Sequence, residues 1–400
     1  MDKSNTISVF NKYLYPMGEG VLIKMTEQLE LDKYVKKLKI IPFVKLFTYA
    51  QLKRITSLTD ISFELNKDSK LQKEIGLKSI SKSQLSRKLS DISPSIFEAV
   101  LRHLIQQVRQ IYGVGKGNQK LRKLHLIDSS TITLSLKEHP WAPKNRFTSG
   151  IKLHTRVVFH DDVTYLDDLI ITPARPSDVA QLDALLVNIP GTFHVFDRGY
   201  FDFKKFDRLC SEGIRFATRI KENTVVEVVE EVPVPKNSSI LREAVVFLGK
   251  MKHPLRLIET VDSEGKQIQI IINDAKIPAE EVSAIYRDRW KIELFYKWMK
   301  QHTVLKTMYG KSQNAVHNQV YMAMISFCLT LLLQADSGFK GTLLVLKKHI
   351  AKFVLNTYPE FKKELFKPPS RSSAGRKRYD HEQVFKEIVM GVEAGEFRNN

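Results

Sequence analysis

The sequence predicts an α/β protein with a helical region on each side of a central sheet. Three observations predict this class. Apolar residues recur at helical spacing up to about residue 112, and strand-like and helix-like segments alternate between Leu124 and Ile220. The chain after Thr303 returns to helical spacing. At 400 residues it is long enough for two or three domains with a sizeable core.

The charge balance indicates a polyanionic partner. The chain has 63 Lys and Arg against 44 Asp and Glu, a formal charge of +19. A surplus of positive charge of this size favours nucleic acid as the partner. No membrane partner is expected, because no amphipathic segment concentrates the basic residues.

Cysteine usage and the apolar runs predict a cytoplasmic protein. Cys210 and Cys328 lie far apart and form no Cys-x-x-Cys pair, so we expect neither a disulfide framework nor a zinc finger. Residues 1–4 lack the apolar core of a signal peptide. The longest apolar run, Val320 to Leu333, is shorter than the roughly 18 residues of a membrane span, which predicts a buried core helix.

Residues 1–112 are predicted to form a helical DNA-binding domain. A short polar helix, Ser79 to Leu89, lies between apolar helices, with Ser81 or Ser83 as its N-cap, and Ser93-Pro94 starts the next helix. The short helix suits the reading helix of a helix-turn-helix. The side chains predicted to face DNA are Ser83, Gln84, Arg87 and Lys88. An ordinary surface helix of a bundle fits the same pattern equally well.

Further divisions follow from composition. Residues 113–120 are Gly-rich and basic, which indicates a linker. An α/β core is predicted over 121–302, with a β-strand insertion over 222–273 that is rich in Val, Ile and Thr. A helical C-terminal region is predicted over 303–400, with a flexible basic linker at 366–378.

Within the core, two predicted strands end in a carboxylate, Asp128 and Asp197. The predicted elements are, in order, strands Leu124–Asp128, Ile151–His160 and Val163–Ile171, a helix capped by Asp178 and running through Leu186, strand Thr192–Asp197, helix Phe203–Glu212 and strand Ile214–Ile220. Asp161 and Asp162 form the turn of a hairpin. Three strands, helix, strand, helix, strand is the order of a ribonuclease-H-like core, in which a later helix supplies a third carboxylate.

A helix that begins near Pro278 carries four polar side chains on one face. At about 100° per residue, Tyr286, Arg289, Glu293 and Lys300 fall within an arc of about 60°. A solvated charged face is the ordinary explanation for such a pattern. The narrow arc, the mixed chemistry and the flanking aromatic residues favour a functional face instead.

The spacing Tyr-x2-Arg-x3-Glu-x6-Lys of these four residues resembles the signature of the DDE transposases of bacterial insertion-sequence family four. The run from Asp197 to Tyr200, Asp-Arg-Gly-Tyr, is similar to the second aspartate motif of that family. The run Ile-Asp-Ser-Ser-Thr around Asp128 is similar to the first. The resemblance covers about residues 124–300 and extends to the N-terminal helices more loosely.

The resemblance implies a metal-dependent catalytic core. Asp128, Asp197 and Glu293 would bind two Mg²⁺ ions, for which Mn²⁺ can substitute, because hard carboxylate oxygens suit these cations. Two such ions about 4 Å apart support in-line displacement at phosphorus. Taken singly, Asp128 also fits a turn or N-cap, and Asp197 fits an ion pair with Arg198.

Further residues are predicted to contact DNA. In the family, the Tyr, Arg and Lys of the signature contact the transposon end, a role carried to Tyr286, Arg289 and Lys300, and cationic groups suit phosphate oxygens. Phosphate contacts are also predicted for residues that share one face of the second strand or that end the fifth, although a solvated strand face fits equally well. They are Lys152, His154, Arg156, Arg219 and Lys221.

One departure concerns a hairpin step in DNA release. Some relatives use a Trp of the β insertion to hold a flipped base. The three Trp of this chain, Trp141, Trp290 and Trp298, lie outside residues 222–273. The resemblance therefore leaves the hairpin step open.

The resulting functional prediction is a cut-and-paste transposase of an insertion sequence. It would bind the terminal inverted repeats as a homodimer, cleave the element ends with Mg²⁺ and join the 3′-hydroxyl ends to target DNA, as a nucleoid-associated cytoplasmic protein. Two alternatives stay open: a catalytically silent protein that binds DNA ends, and a nuclease on the same core that does not join them.

Overall fold

The computed structural model describes residues 7–113, 123–262 and 265–368. By its internal contacts the chain divides into a unit that ends at Phe361 and a second that begins at Lys362. Most of the predicted linker at 113–120, and of the basic segment at 366–378, lies outside the described residues. The domain boundaries near residues 112 and 302 stay predictions.

The N-terminal region is helical, as predicted. Its helices are α1 (Val9–Leu14), α2 (Glu19–Gln28), α3 (Ile40–Lys53), α4 (Leu58–Lys67), α5 (Ser69–Ile75), α6 (Lys82–Asp91) and α7 (Pro94–Tyr112). Ser93 caps α7 by accepting a hydrogen bond from the Ser95 amide, and Pro94 occupies the first helical position. Helix α7 presents a buried apolar face, Ile96 to Val108, to the rest of the protein.

Helix α6 begins at a reciprocal cap, which confirms Ser81 as the N-cap. The Ser81 hydroxyl accepts from the Gln84 amide at 3.3 Å, and the Gln84 side-chain oxygen accepts from the Ser81 amide at 3.1 Å. Two amides that the helix cannot satisfy internally therefore have partners.

We expect Ser81→Ala to destabilise the protein by about 1 kcal/mol, because it leaves the Gln84 amide without its acceptor. Urea unfolding followed by circular dichroism measures this change. Ser83→Ala is the matched control, since Ser83 is exposed on the same turn and outside the capping box. Equal midpoints for the two variants would contradict the assignment of the cap.

The described strands form one nine-stranded sheet. They are β1 (Lys123–Ser135), β2 (Thr148–His160), β3 (Val163–Pro173), β4 (Thr192–Phe196), β5 (Phe216–Arg219), β6 (Val226–Val232), β7 (Ile240–Leu248), β8 (Leu255–Val261) and β9 (Gln267–Ile272). The order across the sheet is β3-β2-β1-β4-β5-β9-β8-β7-β6. Strands β1 to β3 are antiparallel neighbours, whereas β4 lies parallel to β1 and β5 parallel to β4.

The segment predicted as a β insertion forms strands, and the place of these strands in the sheet is a finding of the structure. Its four strands, β6 to β9, pair antiparallel with one another, and β9 pairs with β5. The insertion therefore continues the central sheet. Helix α8 (Leu182–Leu185) lies in the connection from β3 to β4, and α9 (Phe203–Ser211) connects the parallel strands β4 and β5.

Two predictions in the core are wrong in detail. Strand β1 does not end at Asp128 but continues to Ser135, because β2 stays in antiparallel register with it as far as the Ser135–Thr148 pair. Asp178 does not cap a long helix. It opens a short 3₁₀ turn after Ser177, and its carboxylate accepts a hydrogen bond from Lys152 instead.

The helix predicted after Pro278 is divided at Arg289 into α10 (Ala279–Asp288) and α11 (Trp290–His302). The Arg289 amide donates to Tyr286 O, and the Ile292 amide donates to Arg289 O, both at 3.1 Å. These three-residue hydrogen bonds tighten the backbone for one turn. The predicted single helix is wrong at this point.

The C-terminal region is helical, with α12 (Gln313–Ser337), α13 (Leu343–Phe353) and α14 (Tyr358–Leu365). Helix α12 is, in the described part of the chain, the one helix long and apolar enough to cross a membrane by length and composition. Its most apolar window is 94% buried inside the protein, against α3, α6, α7 and β3 among others. This burial confirms the predicted core helix around Val320–Leu333.

Candidate functional site

The strand register places Asp128 beside Asp197. The last pair between the parallel strands β1 and β4 is Ile127–Phe196, and each aspartate is the next residue. Ile127 and Phe196 are fully buried in one apolar cluster. Because side chains alternate along a strand, Asp128 points to the face opposite that of Ile127. Neighbouring strands lie about 4.8 Å apart, so the register brings Asp128 close to Asp197.

Asp197 is fixed by the turn that follows β4. Its Oδ1 accepts a hydrogen bond from the Gly199 amide at 2.8 Å. A Cβ atom at Gly199 would lie 2.8 Å from the same oxygen, so another residue at this position would require the Asp197 carboxylate to shift. Arg198 lies 3.7 Å from Glu222, so its recorded ion pair is with that residue and the Asp197–Arg198 alternative receives no support.

Helix α11 is attached to the sheet by Tyr296, one turn after Glu293. The Tyr296 hydroxyl lies 2.8 Å from both the Asp128 and the Leu153 carbonyl oxygens and 2.6 Å from the Thr155 hydroxyl. Tyr296 is buried, and burial raises its pKa well above the usual value, so the phenol is a neutral donor. The contact fixes Glu293 over β1.

The sequence analysis did not identify Tyr296. The sequence did contain a signal. Tyr296 lies three residues after Glu293, which places the two side chains on neighbouring turns of one helix face. An aromatic residue in such a position is more commonly part of the core, and only the tertiary contact with β1 distinguishes the two cases.

The residues around Arg289 form a short polar chain. The Arg289 guanidinium donates to Glu293 Oε1 at 2.7 Å and lies 6.0 Å from the centre of the Tyr286 ring. Tyr286 is buried, whereas Glu293 and Arg289 are partly exposed. The predicted shared face of Tyr286, Arg289 and Glu293 is therefore present despite the division of the helix.

The carboxylates of Asp128, Asp197 and Glu293 lie near enough to one another to interact electrostatically. Burial, together with the nearby Asp197 and Glu293 carboxylates, raises the pKa of Asp128 to about 7, whereas the Ser129 amide and Arg289 oppose the shift. Burial likewise raises the pKa of Tyr286 to about 12. Negative charge at Asp128 is thus not fully compensated by the protein.

Arg219 belongs to the same neighbourhood, because its charge, with that of Arg289, opposes the upward shift of the Tyr286 pKa. Lys300 lies farther along α11, where its ammonium donates to Thr131 O at 3.4 Å. Partial burial and the nearby Lys306 lower the Lys300 pKa. Both side chains remain candidates for phosphate contact.

Lys152 and His154 do share a face of β2, but both are engaged within the protein. Lys152 donates to Asp178 at 3.0 Å, and the fully buried His154 lies 2.9 Å from the Thr172 hydroxyl. Burial lowers the His154 pKa to about 4, so the ring is neutral at pH 7. Their DNA contacts stay predictions, and this conformation does not present His154 to solvent.

Arg156, on the same face, is buried and paired with Asp167 at 2.7 Å. Lys221 is exposed, with its ammonium 5.5 Å from the centre of the Phe201 ring. Of these two, only Lys221 can reach a phosphate without rearrangement.

The predicted reading helix α6 offers few free side chains. Gln84 is part of the capping box, and Lys88 lies 3.7 Å from Asp32. Arg87 is exposed and has no recorded contact in the described residues. Of the four side chains predicted to face DNA on α6, Ser83 and Arg87 are exposed and have no recorded contact within the described residues, so these two are ready to meet DNA in this conformation.

The three carboxylates suit a metal ion by their charge and by the type of ligand atom that they offer. In the residues that the structure describes, no group of three His, Cys, Asp or Glu is arranged to hold a metal ion. The donor set is nevertheless suitable, because three carboxylates supply the hard oxygen ligands that divalent cations prefer.

Comparison with known families identifies a family for the chain. The model of the family described as "Transposase DDE domain" matches residues 119–329, more than half of the chain. The chain belongs to the DDE transposase domain family. Residues 5–78 match a second family model, a domain of unknown function named DUF4372. The DDE transposase family implies use of a divalent metal ion in general.

Relatives of this DDE transposase chain come from several bacteria. A transposase named y4zB of Sinorhizobium fredii is 33% identical over 215 residues, which are 52% of this chain and 59% of that protein. The transposase of insertion element IS5377 of Geobacillus stearothermophilus is 26% identical over 265 residues, 64% of this chain and 67% of the relative. The transposase of element IS4SA of Synechocystis is 27% identical over 163 residues, 40% of this chain and 46% of that protein.

The matches thus span about half to two thirds of these relatives. A solved structure, the piggyBac transposase in a synaptic complex with hairpin DNA, aligns with 98% of this chain and 87% of its own. The TM-score is 0.45 and the sequence identity 10%.

Proposed function

We propose that this DDE transposase chain belongs to insertion-sequence family four and mobilises its own element. The observation that carries the proposal is the meeting of three carboxylates: Asp128 and Asp197 each follow the last pair of the parallel strands β1 and β4, and Tyr296 holds the helix of Glu293 over β1. The four-residue spacing from Tyr286 to Lys300 supports the finer assignment. Homologues named as transposases of insertion elements support the same function.

We further propose a ribonuclease-H-like core. Its support is the order β3-β2-β1-β4-β5, with three antiparallel strands followed by two parallel ones. A carboxylate on the central strand, one after its parallel neighbour and one on a helix packed over β1 would then meet at one place. The β6–β9 strands are an addition to this core.

The proposed mechanism assigns one role to the three carboxylates. Asp128, Asp197 and Glu293 would hold two Mg²⁺ ions through their carboxylate oxygens. When bound, such ions supply an activated water and stabilise the leaving oxygen at phosphorus. The carboxylates would compensate the cationic charge, and ion binding would in turn favour the ionised form of Asp128.

Arg289 has two proposed tasks. In the described conformation it holds Glu293. In a DNA complex its remaining guanidinium donors would be available to a phosphate oxygen near the cleaved bond, together with the Tyr286 hydroxyl and the Lys300 ammonium. The same groups therefore position both the carboxylate and the substrate.

The other parts of the proposal concern DNA and assembly. The N-terminal helices, with Arg87 on α6, would bind the terminal inverted repeats, and a homodimer would pair two ends before cut-and-paste joining. The +19 charge predicts that binding weakens steeply with salt as counterions return to DNA. A nucleoid location in the cytoplasm would follow from this binding.

The test uses end-labelled DNA that spans the boundary of the element encoding the chain. We expect purified protein to cut at the boundary with Mg²⁺ or Mn²⁺ and not with EDTA. Glu293→Gln keeps the side-chain shape but removes the charge, and we expect it to abolish cutting while binding of the labelled DNA is retained. Joining of the 3′-hydroxyl ends to a plasmid distinguishes a transposase from a nuclease.

Binding without cutting by the wild-type protein in either metal would refute the enzyme and favour the silent end-binding protein. Cutting that Glu293→Gln does not reduce would refute the assigned carboxylate. Boundary cuts without any joined product would favour the nuclease alternative.

A further inference from the structure

A cluster of three lysines lies beside the proposed catalytic carboxylates. A shallow cleft of about 350 Å³ is lined by Glu293, Tyr296, Gln301 and three lysines. These lysines, Lys297, Lys300 and Lys306, are called the lysine cleft below. Two of them, Lys297 and Lys306, play no part in the proposal above.

The positive charge of the lysine cleft is not neutralised within the protein. Lys297 and Lys306 are exposed, and in the described ranges neither has a recorded hydrogen bond or ion pair. Glu293, the one acidic side chain in the lining, is engaged by Arg289 at 2.7 Å. Lys300 donates only to a backbone carbonyl, that of Thr131.

The lysines also repel one another. Burial lowers the Lys300 pKa, and the charge of Lys306 lowers it further. Like charges held together are unfavourable in the free protein when the neighbouring carboxylate, here Glu293, is already paired with another cation. An anion with several oxygens would relieve this repulsion, and the neighbourhood of Glu293 selects a nucleic-acid phosphate over a small anion.

The spacing along α11 fits a DNA strand. At 1.5 Å per residue, Lys297 lies about 6 Å and Lys300 about 10.5 Å beyond Glu293 along the helix axis. One strand of DNA places a phosphate about every 3.4 Å along its axis. With α11 lying along the DNA axis, the lysine cleft would begin about two phosphates away from the carboxylates.

We propose that the lysine cleft binds the backbone phosphates of the DNA strand adjacent to the cleaved bond, with Lys297 and Lys306 as phosphate contacts. The inference rests on the proposed function, because the DNA strand reaches the cleft from the carboxylate site. The contacts would hold the strand in register and would carry no sequence preference.

The test compares two double variants in binding to a short labelled duplex centred on the element boundary. The first is Lys297→Gln with Lys306→Gln. The matched control is Lys236→Gln with Lys276→Gln, which removes two exposed lysines of the β insertion and its following loop that have no recorded side-chain partner. The dissociation constant is measured over a series of salt concentrations.

We expect the cleft variant to reduce the slope of log affinity against log salt by about one to two, because each lost phosphate contact removes about 0.9. The control should keep the wild-type slope. Arginine at both cleft positions, Lys297→Arg with Lys306→Arg, should restore the slope, since charge and not shape is needed.

The outcomes separate this inference from the proposed function. Wild-type cutting with equal slopes for the cleft and control variants overturns the lysine cleft and leaves the transposase intact. Absence of boundary binding by the wild-type protein overturns both. A reduced slope with normal folding, measured by circular dichroism, supports the cleft even where cutting is not observed.

Discussion

Asp128→Asn is expected to abolish DNA cleavage and, at the same time, to make the metal-free protein more stable above pH 7. The loss of cleavage should be on the order of 10³-fold, about 4 kcal/mol of barrier at 1.36 kcal/mol per tenfold. The gain in stability has a separate cause. The fold holds a largely buried carboxyl beside Asp197 and Glu293, which penalises its ionised form.

The sign follows from the two pKa values. The folded-state pKa of about 7 lies above the model value of 3.8, so the folded state binds the proton more tightly. Stability falls as the pH rises from about 4 to about 7 and stays low above that. The upper bound is about 4 kcal/mol for a shift of about three units. Asparagine carries no charge, so its advantage should grow over the same interval.

Thermal unfolding in EDTA at a series of pH values measures the effect. Asp183→Asn serves as a control of opposite sign. Partial burial raises the Asp183 pKa, but hydrogen bonds from Lys205 and Arg208 outweigh it and lower the pKa overall. That variant should therefore lose stability at neutral pH. An Asp128→Asn protein that is less stable than wild type at pH 8 would contradict the uncompensated charge.

Sequence reasoning identified the candidate carboxylates because local patterns mark them. Asp197 follows a short run of buried strand residues, and the Tyr286 to Lys300 spacing is a property of consecutive helical turns. The strand order near the site could also be predicted, since turn residues such as Asp161 and Asp162 separate the apolar runs. Both have positive φ angles in the structure, as a tight hairpin turn requires.

What could not be predicted depends on tertiary contacts. Strand β1 passes Asp128 because β2 extends beside it, and no local signal distinguishes a strand end from a strand that loses one of two neighbours. Lys152 and His154 alternate as predicted, but their contacts with Asp178 and Thr172 depend on a loop and on β3. The break in the helix at Arg289 could not be predicted either, because no Gly or Pro lies at that point.

Tyr296→Phe is expected to slow cleavage by about 100-fold, because a displacement of about 1 Å at a reacting group has an effect of this size. The lost hydroxyl bridges the Asp128 and Leu153 carbonyls and the Thr155 hydroxyl. Without it, α11 loses its buried polar attachment to β1 and keeps only the longer Lys300 contact with Thr131 O, so Glu293 loses its fixed position. Tyr296 acts through Glu293 and is therefore a positioning residue.

The same substitution should also cost about 1–3 kcal/mol of stability, since it leaves buried polar groups without a partner. Tyr13→Phe is the matched control. Tyr13 is fully buried in the helical region, and its hydroxyl donates to Ser326 O at 2.7 Å and contacts the Thr330 hydroxyl at 3.1 Å. It should lose comparable stability but keep wild-type cleavage well below its unfolding temperature.

Cleavage rates at saturating DNA, together with dissociation constants for the same DNA, distinguish an effect on the position of Glu293 from an effect on DNA binding. For Tyr296→Phe we expect the rate to fall while the dissociation constant changes little, because the phosphate-binding side chains remain. Equal rates for Tyr296→Phe and Tyr13→Phe would show that the hydroxyl only stabilises the fold. A rate loss confined to Tyr296→Phe would show that the attachment of α11 to β1 sets the geometry of the carboxylates.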